Sequence, residues 1–128
     1  MSDKKKENIF VIISTQKTPE IRFYPDEFYM KISGRCIPEN PVDFFSKIQT
    51  KLEEFIASID NKDVFTIDVD LEYINSISTK YLYLIFMTIK DNFKKTILNW
   101  YYEDVDDKEL GEDFELLMQM KFNFIKKK

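Results

Sequence analysis

Apolar residues along this chain recur with two different periods, and each period predicts one kind of element. Three short β-branched and aromatic runs, at Ile9–Ile13, Ile21–Tyr24 and Phe28–Ser33, predict three strands near the start of the chain. Residues 25–27 read Pro-Asp-Glu between the second and third runs, which is typical of a turn. These two strands are therefore expected to form a hairpin.

The first helical pattern begins after Asn40. Asparagine is a favoured N-cap, Pro41 suits the first helical position, and Asp43 places negative charge in the first turn. Apolar residues then follow at steps of three and four: Phe45, Ile48, Leu52, Phe55, Ile56 and Ile59. This spacing predicts an amphipathic helix with one buried stripe, which Asp60 and Asn61 are expected to end.

Strict alternation of apolar and polar residues distinguishes the stretch Val64–Tyr73. The apolar positions are Phe65, Ile67, Val69, Leu71 and Tyr73, and the polar ones are Thr66, Asp68, Asp70 and Glu72. A period of two predicts a strand with one buried face and one solvated face. Strands of sheets that are covered on both faces are apolar throughout, so this pattern favours helices on one side only.

Two more helices and one more strand are predicted in the second half. Residues 75–79 lead into a helix that is expected to end near Asn92, and a strand is predicted at Thr96–Tyr102. The expected buried side of that helix consists of Ile77, Tyr81, Leu84, Ile85 and Ile89. A third helix is predicted at Asp106–Met120, and the short apolar end Phe122–Ile125 is expected to pack onto the core. The apolar spacing of the third helix is carried by Leu110, Phe114, Leu117 and Met118.

The predicted order is β-β-β-α-β-α-β-α, which indicates the α/β class. We expect a single compact domain in which a mixed open β-sheet carries its helices mainly on one face. The length of 128 residues fits one domain. Residues 1–8 are expected to form a flexible polar tail, residues 9–125 the domain, and residues 126–128 a basic tip.

The composition of the chain excludes most familiar kinds of catalytic site. The chain has no histidine, one cysteine and two glycines, Gly34 and Gly111. Histidine is the commonest general base and metal ligand. A single cysteine cannot form an intramolecular disulfide or a cysteine-only metal cluster, and two isolated glycines cannot form a glycine-rich phosphate loop. We therefore expect a protein that is not an enzyme and that has no resident metal or cofactor.

The formal net charge of −4 is unevenly distributed. Lysines occupy residues 4–6 and 126–128, whereas residues 7–125 hold 22 acids and 13 bases. Because a nucleic-acid binder usually carries a basic patch on its folded body, no nucleic-acid partner is expected. Residues 103–115, with eight acids and one base, are typical of a solvated surface, and a docking surface for a basic partner is the alternative.

Nothing in the sequence indicates a membrane span or a secretion signal. No stretch approaches the roughly 20 apolar residues that a spanning helix needs. The N-terminus lacks the apolar core of a signal peptide. We therefore expect no direct membrane insertion and a cytoplasmic location, with Cys36 reduced in a loop.

Ser76 and Ser78 lie where the alternating strand ends and the second helix begins. The simplest interpretation makes one of them the N-cap, whose hydroxyl accepts a backbone hydrogen bond. A second interpretation uses the positive partial charge of a helix N-terminus, which stabilises a phosphate. Phosphorylation there adds about −1.5 to −2 of charge on a possible contact surface, and this would act as a binding switch.

Several motifs in order make the chain resemble the SiaC family of bacterial regulatory phosphoproteins. The motifs are Thr-Gln-Lys-Thr-Pro-Glu-Ile at residues 15–21, Gly-Arg-Cys-Ile-Pro-Glu-Asn at 34–40 followed by Phe44-Phe45, Leu-Glu-Tyr-Ile-Asn-Ser at 71–76 with Lys80 beyond, Trp-Tyr-Tyr at 100–102 and Gly-Glu-Asp-Phe at 111–114. Each motif alone is weak, but their order is fairly specific. The resemblance covers roughly residues 9–122.

The resemblance implies a partner switch with a STAS-like layout. A serine/threonine kinase of the histidine-kinase-like ATPase superfamily would phosphorylate one hydroxyl, and a PP2C-type phosphatase would remove the phosphate. The unphosphorylated form would bind and activate a diguanylate cyclase, which links the protein to cyclic-di-GMP and biofilm control. The implied phosphoacceptor is Ser76, where threonine is usual, and Ser78 is the second choice. The implied partner-binding residues are Glu39, Asn40, Asn75, Ser76, Ile77, Ser78, Thr79 and Lys80.

Two other functions remain open at this point. Asp68 and Asp70 lie side by side on the solvated face of the predicted strand, where a divalent ion would make a metal-dependent enzyme conceivable. A solvated strand face is the simpler interpretation of the same residues. The third possibility is a constitutive scaffold that has no switch.

Overall fold

The computed structural model describes residues 9–128, so the tail predicted at residues 1–8 lies outside the described residues. The strands are β1 (Phe10–Ile12), β2 (Glu20–Tyr24), β3 (Tyr29–Cys36), β4 (Val64–Ile74), β5 (Lys95–Tyr102) and β6 (Asn123–Lys126). The helices are α1 (Pro41–Ser58), α2 (Ser76–Asn92) and α3 (Val105–Met118), and a 3-10 turn at Pro25–Glu27 joins β2 to β3. The predicted α/β class and the hairpin of β2 and β3 are confirmed.

The described strands form one sheet in which each strand pairs with the next one in sequence, from β1 to β6. The pairs β1–β2 and β2–β3 are antiparallel, and the pairs from β3 to β6 are parallel. Parallel crossovers are right-handed. Because the order advances in one direction, right-handed crossovers place α1, α2 and α3 on the same face. The other face stays open, as the alternation in β4 predicted.

β6 is a strand that the sequence did not reveal, since the apolar end at 122–125 was expected only to pack onto the core. Asn123 pairs with Asn99 and Lys126 pairs with Tyr102 in parallel register. Only Phe124 of its four residues is even half-buried, so β6 carries no alternating pattern. Its partner strand is remote in sequence, and such pairing leaves no local signal. The predicted basic tip therefore begins inside this strand.

The buried stripe of α1 is confirmed, whereas that of α2 was partly wrong. α1 buries Phe45, Ile48, Leu52, Phe55 and Ile56, and Ile59, the residue after the helix, is half-buried. α2 buries Ser78, Leu82, Ile85, Phe86 and Ile89. Ile77 and Leu84, which were expected inside, are 59% and 49% exposed. An outward apolar line therefore runs along α2 where the sequence predicted core.

α3 packs on β5 through Trp100, which is 2% exposed and confirms that one aromatic residue of this strand points into the core. The Trp100 indole donates a hydrogen bond to the Asp107 carbonyl at 2.9 Å. Gly111 is buried directly against the same indole. Leu117 was expected to be buried but is 58% exposed, since Gly111, Phe114 and Met118 form the packed side of α3. No helix in the described range 9–128 is long and apolar enough to cross a membrane.

Candidate functional site at the carboxyl edge of the sheet

Three parallel strands end at one edge of the sheet, which we call the carboxyl edge. β3, β4 and β5 end there at Cys36, Ile74 and Tyr102, and α1, α2 and α3 begin within a few residues of these positions. The loop from β1 to β2 joins the same edge, because the Ile37 N–H donates to the Lys17 carbonyl at 2.7 Å. Ligand and partner sites of α/β sheets concentrate at this end of the strands.

The segments that carried the resemblance converge on this edge. Residues 15–21 form the loop into β2, residues 34–40 lead from β3 to α1, and residues 71–76 lead from β4 to α2. Residues 100–102 end β5, and residues 111–114 pack onto β5 from α3. Separate motifs along the chain thus become one surface and its support.

Asn75 caps α2, which corrects the expectation that Ser76 or Ser78 would do so. The Asn75 side-chain oxygen accepts a hydrogen bond from the Ser78 N–H at 3.0 Å. The Asn75 N–H donates to the Cys36 carbonyl at 3.2 Å, which ties the start of α2 to the end of β3. The Thr79 hydroxyl donates to the Asn75 carbonyl at 3.1 Å. Because Asn75 does the capping, the helix start does not need a serine hydroxyl.

Ser76 and Ser78 have opposite environments. Ser76 is the first residue of α2 and is exposed, and its hydroxyl forms no hydrogen bond with another described residue. Ser78 is 0% exposed, and its hydroxyl forms no well-aligned hydrogen bond. A kinase would have to open the fold to reach Ser78, and a partner could not contact it. Ser76 is therefore accessible from solvent, whereas Ser78, the second predicted phosphoacceptor, is not.

Cys36 is the last residue of β3 and is 0% exposed, which corrects its predicted place in a loop. Burial raises the pKa of the Cys36 thiol to about 11, and the neighbouring Ser78 hydroxyl opposes this shift only in part. A thiol that is buried and neutral is a poor nucleophile. Cys36 therefore acts as a small core residue beneath the start of α2.

We expect Cys36 in the native protein to react with a thiol-specific reagent at pH 8 at least 100-fold more slowly than in urea. The pKa difference alone lowers the thiolate fraction about 100-fold. Because the folded pKa is raised, the associated stability is present below about pH 9 and is lost as the pH rises towards about 11. Absorbance-monitored thiol titration, with and without urea, measures the rates. Equal rates would mean that the end of β3 opens readily.

The two remaining predicted contact residues at the start of α1 have different roles. Asn40 caps α1 by accepting a hydrogen bond from the Asp43 N–H at 3.1 Å, as the sequence predicted. Glu39 is exposed and forms an ion pair with Lys17 at 2.8 Å. The Lys17 ammonium lowers the pKa of the Glu39 carboxyl through this hydrogen bond. Lys17 is thus a surface residue of the site that no spacing in the sequence connected to Glu39.

A β-bulge near the end of β4 adds two further residues to this surface. Gly34 pairs with Leu71, whereas Arg35 pairs with Tyr73, so Glu72 is the extra residue. A bulge reverses the alternation that follows it. Tyr73 was expected on the buried face but is 54% exposed, next to the exposed Arg35. The extra residue lies in β4, which contains no glycine, so no local signal in the sequence indicated the bulge.

The carboxylates proposed for a metal are held by protein groups on the open face of the sheet. Asp68 accepts hydrogen bonds from the Tyr29 hydroxyl at 2.7 Å and from the Asn99 amide at 2.8 Å. Asp70 forms an ion pair with Lys127 at 2.9 Å. Burial and the bond to Asp68 raise the pKa of the Tyr29 hydroxyl. Within residues 9–128, no group of three or more potential ligands is arranged to hold a metal ion.

The acidic segment at 103–115 serves partly to start α3. Asp104 caps the helix by accepting from the Asp107 N–H at 2.9 Å, and Asp107 accepts in return from the Glu103 N–H at 3.2 Å. Lys108 lies over the Tyr102 ring at 5.6 Å. Negative charge in the first turn of a helix is stabilising. This accounts for two of the acids, Asp104 and Asp107, without a partner protein.

The fold and the site define a class: a one-sided α/β domain that has an exposed serine at the first position of its second helix. The family model for SiaC family regulatory phosphoproteins matches residues 12–127. The chain therefore belongs to the SiaC family of regulatory phosphoproteins, as its motifs predicted. Membership implies a regulator rather than a catalyst.

Solved structures from Pseudomonas aeruginosa share the fold. Apo-SiaC has a TM-score of 0.75 at 24% identity, with 94% of this chain and 98% of that chain covered. A second SiaC structure has a TM-score of 0.74 at 25% identity, with 91% and 95% covered. A chain in the complex of the diguanylate cyclase SiaD with its activator SiaC has a TM-score of 0.79 at 24% identity, with 92% and 99% covered. No curated protein matches this chain.

Proposed function

We propose that this protein is a non-enzymatic partner switch whose state is set by phosphorylation of Ser76. A serine/threonine kinase of the histidine-kinase-like ATPase superfamily adds the phosphate, and a PP2C-type phosphatase removes it. The unphosphorylated form binds an effector, a diguanylate cyclase, and so controls cyclic-di-GMP output. The residues that contact these partners are Asn75, Ser76, Ile77, Thr79 and Lys80 at the start of α2, with Glu39 and Asn40 at the start of α1.

The observation that carries the proposal is the free hydroxyl at the first position of α2. Asn75 already satisfies the helix start, so modifying Ser76 breaks no hydrogen bond within the described chain. The unpaired N–H groups of the first turn and the helix dipole stabilise an added phosphate. Lys80 is exposed one turn further on, at the i+4 spacing that lets an anion and a cation pair on a helix.

Family membership and the neighbouring surface support the same proposal. The family consists of regulatory phosphoproteins, and a homologous protein occurs in a complex as the activator of a diguanylate cyclase. Ile77 follows Ser76 in the sequence and Tyr73 precedes it by three residues, and both are exposed apolar residues. A phosphate on Ser76 would add about −1.5 to −2 of charge to this segment, where desolvation on effector binding is costly. Phosphorylation would therefore release the effector.

We expect the wild-type protein to take up one phosphate on Ser76 when it is incubated with ATP and a serine/threonine kinase of the histidine-kinase-like ATPase superfamily from its own organism. Ser76→Ala should take up none, because the buried Ser78 offers no accessible alternative. Ser76→Thr should be phosphorylated, since it retains the hydroxyl. Intact-protein mass spectrometry with peptide mapping measures the site and the stoichiometry.

The matched control is Ser46→Ala, which changes an exposed serine of α1 and should leave phosphorylation at the wild-type level. Equal phosphorylation of Ser76→Ala and the wild type would refute the site. Unchanged effector binding by the fully phosphorylated protein would instead support a constitutive scaffold.

A further inference from the structure

A long groove runs between α1 and α2 on the helix-covered side of the molecule. Its first part, of about 340 Å³, is lined on α1 by Val42, Phe45 and Gln49 and on α2 by Tyr81 and Leu84. A second part, of about 500 Å³, continues along the same two helices. Both parts are lined by Leu84 and Thr88, and where they meet the Gln49 amide of α1 donates a hydrogen bond to the Thr88 hydroxyl of α2 at 2.9 Å. From residue 42 to residue 57 of α1 the groove spans about 22 Å, or four helical turns.

The first part is apolar and open to solvent. Val42 is 56% exposed and Leu84 is 49% exposed, although both are large hydrophobic residues. The Tyr81 ring stacks on Phe45 with the centroids 5.8 Å apart, which forms a flat floor. Ile77, which is 59% exposed, extends the apolar line of α2 by one turn towards Ser76. Continuous exposed apolar surface of this kind is typical of an interaction site.

The second part is acidic. Glu53 from α1 and Asp91 from α2 line it, and no lysine or arginine among residues 9–128 lines either part. The Glu53 carboxylate accepts one hydrogen bond from Gln49 at 2.9 Å, and neither acid forms an ion pair within the described residues. The groove therefore combines an apolar end near Ser76 with an acidic end at which the described part of the chain places no cation.

We propose that this groove binds an amphipathic helix of a partner protein, with apolar side chains over Tyr81 and Leu84 and lysine or arginine over Glu53 and Asp91. The length of four turns and the apolar positions at residues 77, 81 and 84 suit the helix-in-groove mode of recognition. The inference rests on the proposed function only in taking the effector as the protein that supplies this helix.

A second copy of this chain fits the groove less well. A two-fold contact of groove against groove would oppose the acidic end either to itself or to the apolar end. Both arrangements would bury carboxylates without a cation, which is unfavourable. A basic amphipathic helix satisfies both ends at once.

The test uses a fluorescein-labelled peptide of 18 residues, designed as a helix with a leucine stripe and two arginines at one end. We expect fluorescence anisotropy to show micromolar binding to the full chain, and ¹⁵N chemical-shift changes to map to the groove. Leu84→Glu should weaken binding at least tenfold. Leu116→Glu is the matched control, because it places the same change at a 79% exposed leucine of α3 and should have no effect.

Charge reversal gives a second readout that does not depend on the apolar end. Asp91 is exposed, and Asp91→Lys should weaken binding of the arginine peptide at least fivefold. The same substitution should strengthen binding of a peptide that has glutamates in place of the arginines. Absence of peptide binding, or shifts that map elsewhere, would overturn the proposal. A wild-type dimer that Leu84→Glu converts to a monomer in sedimentation would overturn it in favour of a second copy.

The failure of this proposal can be told apart from the failure of the switch. Leu84→Glu should still accept phosphate on Ser76 from the kinase, with the same stoichiometry as the wild type. Peptide binding in the groove without phosphorylation at Ser76 would support the docking groove and refute the phosphorylation switch. Phosphorylation at Ser76 without peptide binding would support the switch and refute the docking groove.

Discussion

Ser76→Asp is expected to weaken binding of the proposed effector, a diguanylate cyclase, at least tenfold, which corresponds to about 1.4 kcal/mol. The carboxylate places a charge at the residue before the exposed Ile77 and three residues after the exposed Tyr73, and effector binding over this segment would have to remove that charge from water. The phosphorylated wild type should show a larger loss, because phosphate carries about twice the charge. Calorimetric titration of each form with the purified cyclase measures the difference.

The same substitution should change the free energy of unfolding by less than about 1 kcal/mol. An acid at the first position of a helix interacts favourably with the helix dipole, and Asn75 remains the cap. Thr50→Asp on α1, at an exposed position outside the groove, is the control for a charge placed elsewhere on the surface. A large loss of stability in urea denaturation would mean that Ser76 has a structural role. Unchanged effector binding by Ser76→Asp would mean that Ser76 does not contact the effector.

Gly111→Ala is expected to destabilise the protein by about 3 kcal/mol, although alanine is the better helix former. A Cβ atom at this position would lie 2.7 Å from three atoms of the Trp100 ring. The indole cannot move away easily, because its N–H is bonded to the Asp107 carbonyl and its ring contacts Phe114. Forcing an extra carbon into a packed core typically costs about 1–3 kcal/mol or more. Urea denaturation measures the change.

The sign of the change in the free energy of unfolding separates core packing from helix propensity. Helix propensity alone predicts that glycine to alanine stabilises the protein by about 1 kcal/mol. Trp100→Phe removes the indole Nε1, which is one of the clashing atoms, and with it the hydrogen bond that holds the ring in place, so Gly111→Ala should cost less in that background. Glu109→Ala on the exposed side of α3 is the control and should be nearly neutral. A stabilising Gly111→Ala would mean that α3 does not rest on Trp100 as described.

Sequence reasoning succeeded where a local signal and the tertiary packing agreed. α1 combines a cap, a proline at its start and a single apolar stripe, so its buried side could be predicted residue by residue. α2 has almost no polar residues between Tyr81 and Ile89, and its apolar positions fit more than one face. Only the sheet beneath it determines that Leu82 and Phe86 are buried while Leu84 remains outside.

The candidate site was predicted in part for the same reason. The motif before α2 singled out Ser76, but the roles of its neighbours depended on groups remote in sequence. Asn75 became the cap because its backbone is tied to Cys36, which determines where the helix begins. Ser78 is buried because it packs beside the same cysteine. Lys17 belongs to the site because it forms an ion pair with Glu39.

The sequence by itself determined the class of fold, the one-sided sheet and the family, because periodicity and motif order are local properties of the chain. Tertiary structure alone decided the pairing of β6, the bulge that turns Tyr73 outward, and the contact of Gly111 with Trp100. It also decided that the apolar line of α2 faces a groove instead of the core. Each of these depends on which distant segment lies opposite a residue, and no local pattern encodes that choice.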